Sequence, residues 1–267
     1  MTIVWIDKMA VDTRGEGDAV VMVHGLGGSM NAWTPLLPAL ARHRVVRVEL
    51  PGSARSRHAY ALADSAPAGG ALSMEVFADS VIRVCAVLGI TNAHFVGHSM
   101  GTIVCQHIAT KSPSLVRSLA LFGALAEPYP DMREGMVQRA AVARSEGMFD
   151  IAEGISSYAL SPSSFEAQPV TVAYVREGIA AQDPEGFARN CLALAEATAT
   201  RIELIRCPVL LVSGDEDRVT PLSGARALAD KLADARVEVL SRCGHWPMLE
   251  RAAESQRLLR DFLARVR

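Results

Sequence analysis

A chain of 267 residues, at about 150 residues per domain, has room for one or two domains and a large core. Half of it is hydrophobic and 21% is charged, near the globular average, which excludes wholesale disorder. Lys+Arg number 27 against 29 Asp+Glu, a net charge of −2, so the basic excess that an electrostatically driven nucleic-acid binder needs is missing.

In chain order, MTIVWIDKMAVDTRGEGD places Asp7 and Asp12 where a secretion signal would need an apolar run, and no signal is expected. Ala19–Val23, Val45–Leu50, Ala93–Val96, Leu119–Phe122, Val209–Ser213 and Val237–Leu240 read as strands, several continuously apolar as parallel strands covered on both faces would be. Ala32–Ala41, Met74–Leu88, Thr102–Thr110, Leu222–Leu232 and Glu250–Val266 read as amphipathic helices between them. The stretch Val84–Thr110 carries no Asp, Glu, Lys or Arg and is long enough to span a bilayer. Its Asn92, His94, His98, Gln106 and His107, with three glycines, make it instead a helix end, a buried strand and a second helix. Strand–helix alternation predicts an α/β fold with a mostly parallel, doubly wound sheet.

The alternation breaks between about Glu127 and Thr200, a mostly helical stretch punctuated at Ser161-Pro162, Gln168-Pro169 and Asp183-Pro184-Glu185-Gly186. The expected division is a core of residues 1–126 and 201–267 with a helical lid, 127–200, inserted between strands. Ligands of open parallel sheets bind outside the carboxyl ends of the strands, so a lid there would enclose a pocket. The cysteines (Cys85, Cys105, Cys191, Cys207, Cys243) are odd in number and show no C-x-x-C pair, which fits free thiols in a reducing compartment. A cytoplasmic protein with no membrane span is expected, and a homo-oligomer is left open.

Gly97-His98-Ser99-Met100-Gly101 is a G-x-S-x-G pentapeptide between a predicted strand and a predicted helix. A sharp turn there would push the Ser99 hydroxyl out of the sheet, with glycine on both sides because a Cβ would strike the neighbouring strand or helix. By chance the pentapeptide occurs in roughly one chain in ten of this length, so its context carries the weight. His24-Gly25-Leu26-Gly27-Gly28 ends the strand Ala19–Val23. The backbone N–H groups of Leu26 and Met100 there could form an oxyanion hole. An ordinary glycine turn is the plain alternative, G-K-[ST] and G-x-G-x-x-G phosphate loops are absent, and His24 reads as a structural loop residue. Gly214-Asp215-Glu216-Asp217 follows Val209–Ser213; one acid there could orient a histidine, where a solvated acidic loop is the plain alternative. An EF-hand spacing is absent. His245, in Gly244-His245-Trp246-Pro247, follows Val237–Leu240.

Serine, acid and histidine at three strand ends, in that chain order, resemble the α/β-hydrolase fold family over nearly the whole chain. The resemblance implies Ser99 as nucleophile, His245 as base and Asp217 as acid. Asp217 is preferred to Asp215 because it matches the family's G-x-x-D-x-x-x-P spacing from Gly214 to Pro221. The other place where the family puts its acid, after Leu119–Phe122, holds Gly123 and Ala124. Glu49-Leu50-Pro51-Gly52-Ser53-Ala54-Arg55-Ser56 resembles the family's D-x-x-G-x-G-x-S loop and departs at Glu49 and Ala54.

The lid resembles the 3-oxoadipate enol-lactonase group at Arg144-Ser145-Glu146-Gly147-Met148 and Asp183-Pro184-Glu185-Gly186-Phe187. It departs at Tyr158-Ala159-Leu160, where that group carries Arg-Trp-Phe, and at Ala195, where it carries arginine. An anionic substrate would want a guanidinium; Arg133 and Arg139 are candidates, with a charged helix face as the alternative. The expected reaction is hydrolysis of an ester or lactone of a small, mainly apolar substrate through an acyl-enzyme, with no cofactor and no metal. Met132, Met136, Met148, Phe149 and Tyr158 are the expected lid contacts; Trp246 is expected in the pocket wall, with a core role as the alternative, and His98 could reach the pocket because it flanks the nucleophile. Carbon–carbon bond hydrolysis of an aromatic ring-cleavage product is the alternative with the same triad, and a ligand-binding receptor with little turnover is the alternative from another class.

Overall fold

The structure, a computed structural model, describes residues 2–59 and 71–266. Its strands are β1 (Thr2–Ile6), β2 (Met9–Arg14), β3 (Ala19–Val23), β4 (Arg44–Val48), β5 (Ala93–His98), β6 (Val116–Phe122), β7 (Val209–Gly214) and β8 (Ala235–Leu240). They form one sheet in the order β1-β2-β4-β3-β5-β6-β7-β8. β1, β2 and β4 pair antiparallel and every pair from β4 through β8 is parallel. The centre of the sheet is dry: β3, β5 and β7 are buried at every position, whereas the edge strand β8 is half exposed.

Strand order reverses between β3 and β5, because β4 follows β3 on one side and β5 returns on the other. That crevice, at the carboxyl ends, is where open α/β sheets hold ligands. The helices α1 (Met74–Val87), α2 (Met100–Lys111), α8 (Leu222–Ala229), α9 (Pro247–Glu250) and α10 (Ala252–Arg265) flank the sheet. α2 is buried on almost every side, as a helix under the sheet centre must be. Ser73 caps α1 by accepting from the Val76 N–H.

The uncharged run Val84–Thr110 divides among α1, β5 and α2, and among the described residues no helix is long and apolar enough to cross a membrane. The helix expected over Ala32–Ala41 is a 3₁₀ segment, Met30–Leu40. Pro35 and Pro38 lack the N–H groups that an α-helical ladder would use there. The helix expected from Glu250 to Val266 breaks at Arg251 into α9 and α10.

The hairpin β1–β2 has no counterpart among the expected strands. Its strands are short and carry charges, and one of those charges is buried: Asp12 opposes Arg47 in the β2–β4 register and accepts from its guanidinium at 2.7 and 2.9 Å. Arg14 also donates to Asp12, at 3.0 and 3.1 Å, but the buried Arg47 pairs with no other carboxylate among the described residues. Leaving it without Asp12 would cost roughly 3–5 kcal/mol, so the pair fixes the register that seats the hairpin.

Between β6 and β7 run α3 (Pro130–Glu146), α4 (Phe149–Ala159), α5 (Pro162–Ala167), α6 (Pro169–Ala180) and α7 (Pro184–Ala195). Prolines open all but α4, where the missing N–H costs nothing. The two lid motifs meet: Arg144 at the end of α3 pairs with Glu185 at the start of α7 at 2.7 Å.

Candidate active site

Ser99 stands between β5 and α2 at φ 51°, ψ −122°, a backbone conformation that L-residues rarely adopt. Such strain costs about 1–3 kcal/mol and persists only where the surroundings enforce it. They do so here. The Ser99 N–H extends the sheet ladder to Phe122 O at 3.0 Å, and its carbonyl accepts from the Thr102 N–H and hydroxyl at 2.8 and 2.7 Å. A Cβ at Gly97 would lie 2.7 Å from Gly101 O, and one at Gly101 would strike the carbonyls of Val23 and His24. Both glycines are therefore demanded by close approach.

Met100 opens α2, so its N–H is one of the helix-terminal donors without an intrahelical partner. The loop after β3 passes directly beside it: a Cβ on Gly25 would be 2.9 Å from Ser99 Cβ. His24 shapes that loop from within. Its Nδ1 lies 2.8 Å from Gly25 O and its Nε2 lies 3.1 Å from the Leu50 N. Only the neutral ring protonated at Nδ1 satisfies both partners, and burial holds its pKa down at about 4.

His245 and Asp217 come together from separate loops. His245 Nδ1 lies 2.9 Å from Asp217 Oδ2, with both side chains nearly inaccessible. Asp217 Oδ1 accepts from the Val219 and Thr220 N–H groups, each at 2.8 Å, and Oδ2 accepts from the Thr220 hydroxyl at 2.7 Å. Burial works to raise the Asp217 carboxyl, but the His245 charge and these hydrogen bonds outweigh it and hold the group below the ordinary aspartate value. Asp215 takes another part: its Oδ1 accepts from the Cys243 N–H at 3.1 Å and braces the loop that carries the histidine.

The β6 end brings the two halves together. Gly123 follows Phe122, whose carbonyl holds Ser99, and a Cβ on Gly123 would be 3.0 Å from His245 Cε1. His98 adds a direct bridge. Its Nε2 donates to His245 O at 2.8 Å, and its ring lies 4.9 Å from that of His245 and 4.6 Å from that of Trp246. Burial first, and then the His245 charge, push His98 down to about 3, so it stays neutral.

Both depressed imidazoles carry a stability cost in acid. The folded chain refuses protons at His24 and His98 between about pH 6.5 and the folded values, while the unfolded chain accepts them. Stability is therefore full above the unfolded value and erodes as pH falls. At pH 5 the loss is about 2 kcal/mol for each ring. Urea unfolding at pH 7.5 and 5.0 measures it; equal stabilities would contradict the neutral assignments.

The lid candidates divide. Met136 and Met148 are buried, and Met132 is half-buried against the core. Phe149 and Tyr158 face outward in the structure, 70% and 52% exposed. α4 turns Ile151, Ala152, Ser156 and Ala159 inward, which leaves those two rings outside. Tyr158 ties α4 to the loop after β7, its hydroxyl donating to Arg218 O at 3.1 Å while the Arg218 guanidinium sits 4.8 Å from its ring centre. Arg133 donates to Ala195 O at 2.6 Å and pairs with Glu127 at 3.0 Å, a helix-end role.

Three neighbours of the site escaped the sequence reading. Thr220 shares Asp217 and lies 3.2 Å from His245 Nδ1, and its only sequence sign is the D-x-x-T turn before Pro221. Gln182 donates to Gly27 O at 3.2 Å and accepts from the Ala54 N–H at 2.9 Å, joining the lid to the loop beside Ser99. Glu250 lies under the His245 loop.

A family model described as alpha/beta hydrolase fold matches residues 18–252. A 2-hydroxymuconate semialdehyde hydrolase from Pseudomonas sp. (strain CF600) is 29% identical over 94% of this chain and 88% of its own length. Among solved structures, a thermophilic esterase from Thermogutta terrifontis shares a TM-score of 0.89 at 26% identity, covering 100% of this chain and 99% of that one. The enol-lactonase from Burkholderia xenovorans LB400 shares a TM-score of 0.86 at 27% identity, covering 98% and 100%. With its sheet order, its strained serine turn and this match, the chain belongs to the alpha/beta hydrolase fold family.

Proposed function

We propose that this protein is a serine hydrolase that cleaves an ester or lactone of a small, mainly apolar substrate through an acyl-enzyme. The observation that carries the reading is the buried His245–Asp217 pair at 2.9 Å, joined through the His98 ring to the strand end where Ser99 is held at positive φ on a helix N-terminus. A serine hydroxyl is a weak nucleophile without a base, and an imidazole is a useful base only in the right tautomer. Asp217 accepts at Nδ1, which leaves Nε2 to take the Ser99 proton.

In the first step Ser99 Oγ bonds to the substrate carbonyl carbon as its proton passes to His245. The oxyanion that forms is held by the N–H groups of Leu26 and Met100, each worth roughly 3–4 kcal/mol in the transition state. His245 then gives the proton to the departing alkoxide oxygen as the carbon–oxygen bond breaks. Water, deprotonated by the same imidazole, attacks the acyl-serine and restores the enzyme. No cofactor or metal enters these steps. Similarity to the Thermogutta esterase and the Burkholderia enol-lactonase supports the ester or lactone reading.

The relative named for hydrolysis of 2-hydroxymuconate semialdehyde favours a second reading, in which the same groups cleave a carbon–carbon bond of a vinylogous diketone. A panel of short p-nitrophenyl esters, simple lactones and a dienoate ketone separates them. Turnover of esters or lactones is the expected result. Turnover of the ketone alone would replace the first reading by the second, and tight ligand binding without product release would replace both by a receptor.

A further inference from the structure

We infer that Glu250 is a positioning residue that fixes the backbone on both sides of His245; the inference rests on the reading of His245 as the base. Glu250 ends the four-residue helix α9 and is 4% exposed. Its Oε1 accepts from the Trp246 N–H at 3.0 Å, and its Oε2 accepts from the Gly244 N–H at 3.0 Å and the Ser161 N–H at 2.9 Å. The first bond alone would be a local bond within α9, from its fourth residue back to its N-cap Trp246. The second and third go beyond that. One carboxylate holds the peptides before and after His245 and ties both to the lid at the start of α5.

The His245 main chain is held as well. The His245 N–H donates to Ala159 O at 2.8 Å, and the His245 carbonyl accepts from His98 Nε2. The lid backbone lies so close that a Cβ on Gly244 would be 2.6 Å from Ser161 N. The neighbouring Arg251 guanidinium donates to the Glu250 main-chain carbonyl at 2.7 Å, leaving the carboxylate to the N–H groups. Main-chain N–H groups on both oxygens require an acceptor at both, which a carboxylate supplies and an amide does not. Glutamine would set its NH₂ against either the Trp246 N–H or the other two. The imidazole would then lose a fixed origin while keeping Asp217 as its partner. A misplacement of about 1 Å at a reacting group can cost on the order of 100-fold in rate.

The test is Glu250→Gln, with kcat and KM normalised to folded protein and with the one-dimensional proton spectrum of the resting enzyme. The downfield His245 Nδ1–H resonance reports the hydrogen bond to Asp217. Expected are a kcat lowered about 10–100-fold, a KM within about threefold, and a broadened or lost resonance. A kcat within twofold and an unchanged resonance, with only the unfolding temperature lowered, would overturn the inference. If the variant does not fold, amide exchange in the unaltered protein decides. Protection of Gly244 and Trp246 comparable to β5 supports the clamp, and exchange at the rate of an open loop overturns it. Failure of the unaltered protein to turn over any ester or lactone would strike the proposed reaction, whereas the resonance and exchange measurements would still decide the role of Glu250.

Discussion

Replacing Ser99 with alanine is expected to lower turnover of a short p-nitrophenyl ester by at least about 10⁴-fold without unfolding the protein. The hydroxyl is the only atom lost, and the backbone bonds to Phe122 and Thr102 that set the turn do not involve it. Ser99→Gly separates chemistry from strain. It loses the same nucleophile, but glycine adopts φ 51° without penalty, so it should be about 1 kcal/mol more stable than the alanine variant. Urea unfolding of the two variants measures that difference. Retained ester turnover in either variant would remove Ser99 from the mechanism. Equal stabilities would mean that the strain at Ser99 is no larger than the roughly 0.5–1 kcal/mol entropic cost of glycine.

Asp217→Asn is expected to lower kcat by about 10⁴-fold, with the fold intact. The amide removes the charge that stabilises a protonated His245, and it places either a donor against Nδ1–H or the wrong tautomer at Ser99. Asp215→Asn provides the contrast. Asp215 accepts from the Cys243 N–H and also hydrogen-bonds the Arg242 backbone and the Ser241 side chain, none of them the His245 ring, so kcat should fall by less than about tenfold. Steady-state kinetics of the two variants on one ester distinguish the acids. The reverse order of effects would reassign the acid to Asp215.

The sequence displayed the parts of the molecule that depend on local pattern. The runs AVVMV and VLLVS are apolar throughout because β3 and β7 are covered on both faces, and that is visible without coordinates. The pentapeptide around Ser99 is legible for the same kind of reason, since close approach demands glycine at Gly97 and Gly101. The spacing that separates Asp217 from Asp215 follows the Asx turn, in which the carboxylate caps Val219 and Thr220. The departures in the loop after β4 also have readable consequences. Glu49, in place of aspartate, reaches the Arg55 N–H at 2.8 Å, and Ala54, in place of glycine, sits at φ 45°.

What stayed hidden depends on partners distant in sequence. Asp12 gave no sign of burial because its partner Arg47 lies on another strand. Phe149 and Tyr158 have the size and chemistry of pocket walls, yet which face of α4 turns inward is set by its packing against α6, and no periodicity of α4 alone states it. Glu250 resembles any exposed helix glutamate until the fold brings Ser161 and Gly244 onto it. The 3₁₀ segment departs from the expected helix for a different reason: its apolar spacing is helical, but Pro35 and Pro38 remove the N–H groups of an α-helical ladder.

If Ser99 is an activated nucleophile, it must react with an electrophilic phosphonate faster than any other serine of the chain. Incubation of the folded protein with a fluorophosphonate, followed by intact mass and peptide mapping, tests it most directly. One phosphonyl adduct per chain is expected, located on Ser99 in the peptide that spans Gly97–Gly101, and none in Ser99→Ala. A folded protein that takes up no adduct, or takes it up on another residue, would contradict that reactivity.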